Sequence, residues 1–310
     1  MSWTLSFITE EDFTAHVRAT IQKYGDKLKS YDLKLFNKNL VDPIKLIFDK
    51  TVYRATWEET ISNELFRQRD KSANNDIGYF HQNIFRYINN CHVPPNGEEG
   101  GWDVIYKNPE GITLPEGSTV HTVYAEMKNK HNTMNAPATG KTFIKMQNQL
   151  LHDDDCACFL VEAIAKRSQN IKWEPSVDGK KVGHKLIRRV SLDQFYGLVT
   201  GVPDAFYQVC MILPETIQKV VDDEGSNLVP NDTVIDELKM IAEESRIENS
   251  DLALALAIYM LGFSTYSGFR SIFPQEAFRN LRTSDRLSEY ARKFFEDETT
   301  APKNKQKRKN

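Results

Sequence analysis

The chain has 310 residues, 40% of them hydrophobic and 11% aromatic, and a formal net charge of -3. That is enough apolar material for one large core or two modest ones. The slight acidity excludes a protein that coats nucleic acid through bulk positive charge, but not an enzyme whose basic residues line only a cleft. Four cysteines (Cys91, Cys156, Cys158 and Cys210) form no Cys-x-x-Cys pair, which argues for free thiols and against zinc. The N-terminus lacks a charged-then-apolar leader, and the longest apolar run, 252–263, is too short to span a bilayer. A cytoplasmic protein with no membrane partner is therefore expected.

Residues 1–41 carry Phe7, Phe13, Val17 and Ile21 at helical spacing and form an N-terminal helical segment. Asp42-Pro43 marks a break, because a residue before proline disfavours helix. The main domain is expected over 42–223. A helix over 56–69 presents Trp57, Ile61 and Leu65 as a core-facing stripe, with the Glu64 carboxylate at its edge in need of a partner. Polar residues 70–76 read as a loop, and 77–88 as a second helix burying Tyr79, Phe80, Ile84, Phe85 and Ile88.

Two β-branched and aromatic runs follow, 104–106 and 120–128, bounded by Gly100-Gly101 and separated by Pro115-Glu-Gly117. They read as a pair of strands in a hairpin. Residues two apart on a strand share a face, so Glu126 and Lys128 project together while Met127 points to the other side. With Asp103 at the head of the neighbouring strand, the site has two carboxylates and a lysine. That set suits Mg²⁺, which takes one or two carboxylates plus water and substrate phosphate; the lysine orients the attacking water and offsets phosphate charge.

Asn129, Lys130, His131, Asn132 and Asn135 leave the second strand beside Lys128. They are placed to meet DNA phosphates or base edges, or else to cap turns. Ala138-Thr-Gly-Lys-Thr142 imitates the end of a phosphate-binding loop, but Asn135 stands where the first glycine is required, so no nucleotide cofactor is expected. Lys141 and Lys145, four apart on a helical face, line a DNA cleft or are solvated. The apolar run 156–163 reads as a strand buried on both faces at the centre of a sheet; Glu162 interrupts it and is read as a packing residue, not a metal ligand. Strand, strand, helix, strand gives a mixed α/β core. Beyond it, Arg167, Gln169 and Asn170 are the residue types that read guanine and adenine edges.

Asp178-Gly179 signals a hairpin turn, 183–190 a strand with basic ends, and Ser191 a helix cap. A helix over 205–223 and a linker over 222–232 lead to helices at 232–247, 250–263, 274–281 and 284–296. These make an all-helical C-terminal subdomain, 232–298, before a disordered, Lys-rich tail at 299–310.

Asp103 with Glu126-Met-Lys128 resembles the PD-(D/E)XK nuclease superfamily, with Trp102 in place of the proline. The runs 77–85, 126–135, 159–166 and 168–173 resemble the type II restriction endonucleases that cut GGNCC-type sites, over roughly residues 42–221. The resemblance implies a mixed central sheet flanked by helices and a Mg²⁺-dependent, homodimeric endonuclease of double-stranded DNA. It further implies 5′-phosphate products, Asp103, Glu126 and Lys128 as catalytic residues, and Glu64 as a further metal ligand from a preceding helix. It also favours a DNA-facing role for Arg167, Gln169 and Asn170. A repair nuclease of looser specificity and a non-catalytic DNA-binding protein are the alternatives.

Overall fold

A computed structural model describes residues 3–27, 30–224, 230–244 and 248–263. In chain order it contains helices α1 (Glu10–Lys27), α2 (Leu33–Asn37), α3 (Pro43–Tyr53) and α4 (Trp57–Asn83), then strands β1 (Cys91–His92), β2 (Val104–Thr113) and β3 (Thr119–Lys130). Helix α5 (Ala136–His152) leads to β4 (Cys156–Ile164), β5 (Asn170–Lys172), β6 (Ser176–Val177), β7 (Lys180–Lys181) and β8 (Ile187–Ser191). Helices α6 (Leu192–Thr200), α7 (Ala205–Glu224), α8 (Val234–Glu244) and α9 (Ser250–Phe263) follow. Among the described residues no helix is long and apolar enough to cross a membrane.

The chain divides into two compact units. Described residues 3–27 and 72–224 make one, 30–71 and 230–263 the other. The first unit is built on a six-stranded mixed sheet in the order β1-β2-β3-β4-β8-β5. β2 and β3 are antiparallel, with Val104 opposite Ala125. β4 lies parallel to both β3 and β8, and every residue from Cys156 to Glu162 is buried, as its unbroken apolar run demands. Alternation along the strands feeds two cores. Val104, Val123, Ala125, Phe159 and Val161 meet Phe85 and the α6 aromatics Phe195 and Tyr196 on one face. Ile105, Cys158, Leu160 and Ile187 meet Phe143 and Met146 of α5 on the other. The Asp178-Gly179 turn joins β6 to β7 with both residues at positive φ, 50° and 76°, the geometry of the two-residue hairpin.

In the second unit Phe36, Leu46, Trp57, Ile61 and Leu65 pack with Val234, Leu238, Ala257 and Ile258. α9 is apolar nearly all round because it is buried here. Gly262 has no room for a side chain, since a Cβ would lie 2.5 Å from the Pro43 ring. The division of the chain differs from the expected domain over 42–223, because residues 42–71 belong to this helical unit. The Trp57-Ile61-Leu65 stripe says that a face is buried but not against what.

Two local expectations are corrected. Residues 70–76 are not a loop: α4 runs through them without a break. Asn and Asp weaken a helix by only about 0.5 kcal/mol each, and a helix already nucleated on both sides carries them. Ser191 precedes α6, but its hydroxyl does not cap it. Instead it accepts from Gln169 N–H and donates to Gln169 C=O. The expected helices at 274–281 and 284–296, most of the 222–232 linker's centre and the tail at 299–310 lie outside the described residues.

His16 gives a pH prediction. It is 4% exposed, its Nε2 lies 3.0 Å from Phe80 O, and its ring stacks on Phe80. Burial holds its pKa down at about 4. A histidine depressed in the fold favours folding above its unfolded pKa of about 6.5, and that contribution fades as pH falls toward 4. Between pH 7 and 5 this group is expected to remove about 2 kcal/mol. Urea unfolding at the two pH values should show the loss, and His16→Phe should reduce it; an unchanged acid slope in the variant would refute the assignment.

Candidate active site

β3 places Glu126 and Lys128 on the sheet face that carries α5, and Met127 packs into the opposite core. Asp103 sits at the head of β2, where its N–H donates to Ala125 C=O across the pair at 3.0 Å. Its Oδ2 accepts from Met127 N–H at 2.6 Å, which fixes the carboxylate against β3. Burial, and then the neighbouring Glu126 charge, push the Asp103 carboxyl above the ordinary aspartate value.

Glu126 is held at both oxygens. Lys128 Nζ donates to Oε1 at 2.8 Å and Lys145 Nζ to Oε2 at 2.7 Å. Burial pushes its carboxyl up, but the two ammonium groups outweigh burial and hold it below the usual glutamate value. Lys145 reaches in from the third turn of α5. Gly101 C=O accepts from it at 2.7 Å, and its ammonium lies 4.1 Å from the centre of the Trp102 ring. Gly101 and Trp102, just before β2, thus present a carbonyl and an indole face to one cation. The site has hard oxygen donors from two acids, one of them destabilised by burial and by its like-charged neighbour. That is the donor chemistry a small divalent cation satisfies.

The remaining expected site residues are spread more widely. Lys130 and Asn132 line a cleft together with Lys128. His131 turns inward, its Nδ1 3.0 Å from Glu162 Oε2. Asn129 donates to Asn74 C=O, and the Asn135 side chain caps α5 through Ala138 N–H. Lys141 is exposed. Arg167 and Gln169 lie on the exposed connection from β4 to β5, which runs at the sheet edge furthest from β1. Asn170, within β5, accepts from Arg188 through both its side chain and its carbonyl. Glu64 belongs to the helical unit, is 4% exposed, and already receives Arg67 and Gln68. The partner its position asked for is Arg67.

The profile of the Eco47II restriction endonuclease family matches residues 5–222. The chain belongs to the Eco47II restriction endonuclease family. The type II restriction enzyme Sau96I of Staphylococcus aureus is 32% identical over 237 residues, 72% of this chain and 85% of that enzyme. The type II restriction enzyme Eco47II of Escherichia coli is 27% identical over 245 residues, 74% of this chain and 95% of that enzyme. The matched span contains the whole sheet, and Asp103, Glu126, Lys128 and Lys145 all lie inside it. Membership makes the protein a restriction endonuclease, a site-specific deoxyribonuclease built on a mixed α/β core.

The sequence alone places Lys145 with Lys141 on a helical face that lines a cleft or is solvated, and does not give it as the second cation on Glu126. Its four-residue spacing from Lys141 gave the face but not the partner. Arg189, which meets Glu162 and His131, was missed. Strand alternation of Arg188 and Arg189 was the available signal: one had to face α5.

Proposed function

We propose that the protein is a Mg²⁺-dependent type II endonuclease that cuts both strands of a short GC-rich palindrome, GGNCC, leaving 5′-phosphate ends, and that it acts as a homodimer. The observation that carries this reading is the convergence of Asp103, Glu126 and Lys128 on one sheet face. Asp103 and Glu126 would hold the metal, which when bound supplies a Lewis acid for the phosphoryl oxygens and acidifies a water. Lys128, a preorganised cation beside both carboxylates, orients the attacking water and stabilises charge gathering on the phosphate. Lys145 holds the second Glu126 oxygen and so keeps the carboxylate ionised. A palindrome has two-fold symmetry, and two copies of the chain related by the same symmetry place one site on each strand.

The test is to incubate a long natural duplex with the protein and Mg²⁺ and to sequence the ends. A discrete fragment set ending at GGNCC with 5′-phosphates is expected, and chelation of the metal should abolish it. A smear would favour a repair nuclease of loose specificity, and ends at another short palindrome would refute the target. Intact DNA under all metals would sink the reading.

A further inference from the structure

A second polar cluster lies beside the first. On one sheet face Lys128 of β3, Glu162 of β4 and Arg189 of β8 occupy neighbouring strands. Glu162, 2% exposed, receives Arg189 on Oε1 and lies 3.0 Å from His131 through Oε2. A cleft of about 380 Å³ opens next to them, bordered by Lys128, Lys130, Lys172, Arg189 and two acids, Glu162 and Glu174. Both acids are engaged: Glu162 with Arg189, and Glu174 with Lys172 at 2.5 Å. Arg189 Nε is buried without a hydrogen-bond partner, a donor that costs free energy to leave unmet. Thr139, in the first turn of α5, also borders the cleft, so the positive end of a helix dipole adds to the field.

Cations outnumber carboxylates here, and the wall is shared with Lys128. A strand whose scissile phosphate rests at Lys128 has this cleft beside it. We propose that the cleft seats a second phosphodiester of the same DNA strand, adjacent to the scissile one. Lys130, Lys172 and Arg189 supply the charge, and Glu162 positions the Arg189 guanidinium. The inference rests on the reading of Asp103, Glu126 and Lys128 as the cleavage site.

The test uses the full-length protein and a duplex whose cut position has first been mapped with Mg²⁺. Binding is then measured without Mg²⁺ on duplexes carrying one neutral methylphosphonate linkage at each position around the cut. Wild type is expected to lose about tenfold in affinity when the neutral linkage adjoins the scissile one on one side. Lys130→Ala/Lys172→Ala replaces two solvent-facing lysines. It should bind unmodified duplex at least about tenfold more weakly, show a salt slope shallower by about 2, and be indifferent to that linkage. Glu162→Gln/Arg189→Met, which leaves no charge buried, should lose the same sensitivity while unfolding cooperatively. A flat scan in a wild type that cuts DNA, or sensitivity retained in the lysine variant, overturns the cleft assignment alone. A wild type that cuts no DNA overturns the reading beneath it.

Discussion

Glu126→Ala is expected to slow DNA cleavage by at least about a thousandfold while leaving the protein folded and able to bind DNA. Glu126 is the hub of the site, with Lys128 on one oxygen and Lys145 on the other. Its loss would remove a donor for the proposed metal and leave two ammonium groups without their counter-charge. Those lysines retain 30% and 27% side-chain exposure, so water can take over their solvation and the fold should survive. Two unneutralised cations beside the scissile position should tighten metal-free binding of duplex. Single-turnover cleavage and a gel shift on the same preparation separate the two effects. A variant that cuts at the wild-type rate would remove Glu126 from the catalytic set.

Asp103→Asn should abolish cleavage to a similar degree and yet raise thermal stability at neutral pH. Burial and the Glu126 charge push the Asp103 carboxyl up, so the folded state disfavours its ionised form. Such an aspartate costs stability above its unfolded pKa, and the cost disappears as pH falls and the group protonates in both states. Asparagine removes the charge and keeps an oxygen for Met127 N–H, now 2.6 Å from Oδ2. The expected pair of results is a higher Tm at pH 8 with no gain at pH 3, and cleavage reduced by about a thousandfold. A lower Tm at pH 8 would mean that the carboxylate is held by favourable partners, and that the site is not poised for a cation.

Much of β3 and its neighbour β4 could be read from the chain. Alternation put Glu126 with Lys128 and sent Met127 to the opposite core, and the apolar run 156–163 declared a central strand. The polar stretch 70–76 misled because side-chain polarity predicts exposure better than it predicts conformation; the backbone there stays helical. Asn170, a residue type that reads bases, is occupied by Arg188, which is itself 4% exposed and also paired with Glu116. A polar side chain takes the donor that tertiary packing brings, whatever its type could do elsewhere.

By itself, then, the sequence determined which residues of β3 share a face, that β4 is central, and that Asp178-Gly179 turns the chain. Each of these follows from covalent geometry and from periodicity over a few neighbouring residues. Only the tertiary structure decided that Lys145 completes the Glu126 site, that Arg189 rather than Arg188 faces the cleft with Glu162, and that residues 42–71 pack with the helical unit. Those outcomes depend on register and packing between segments far apart in the chain, where several donors compete for one acceptor and the fold selects among them.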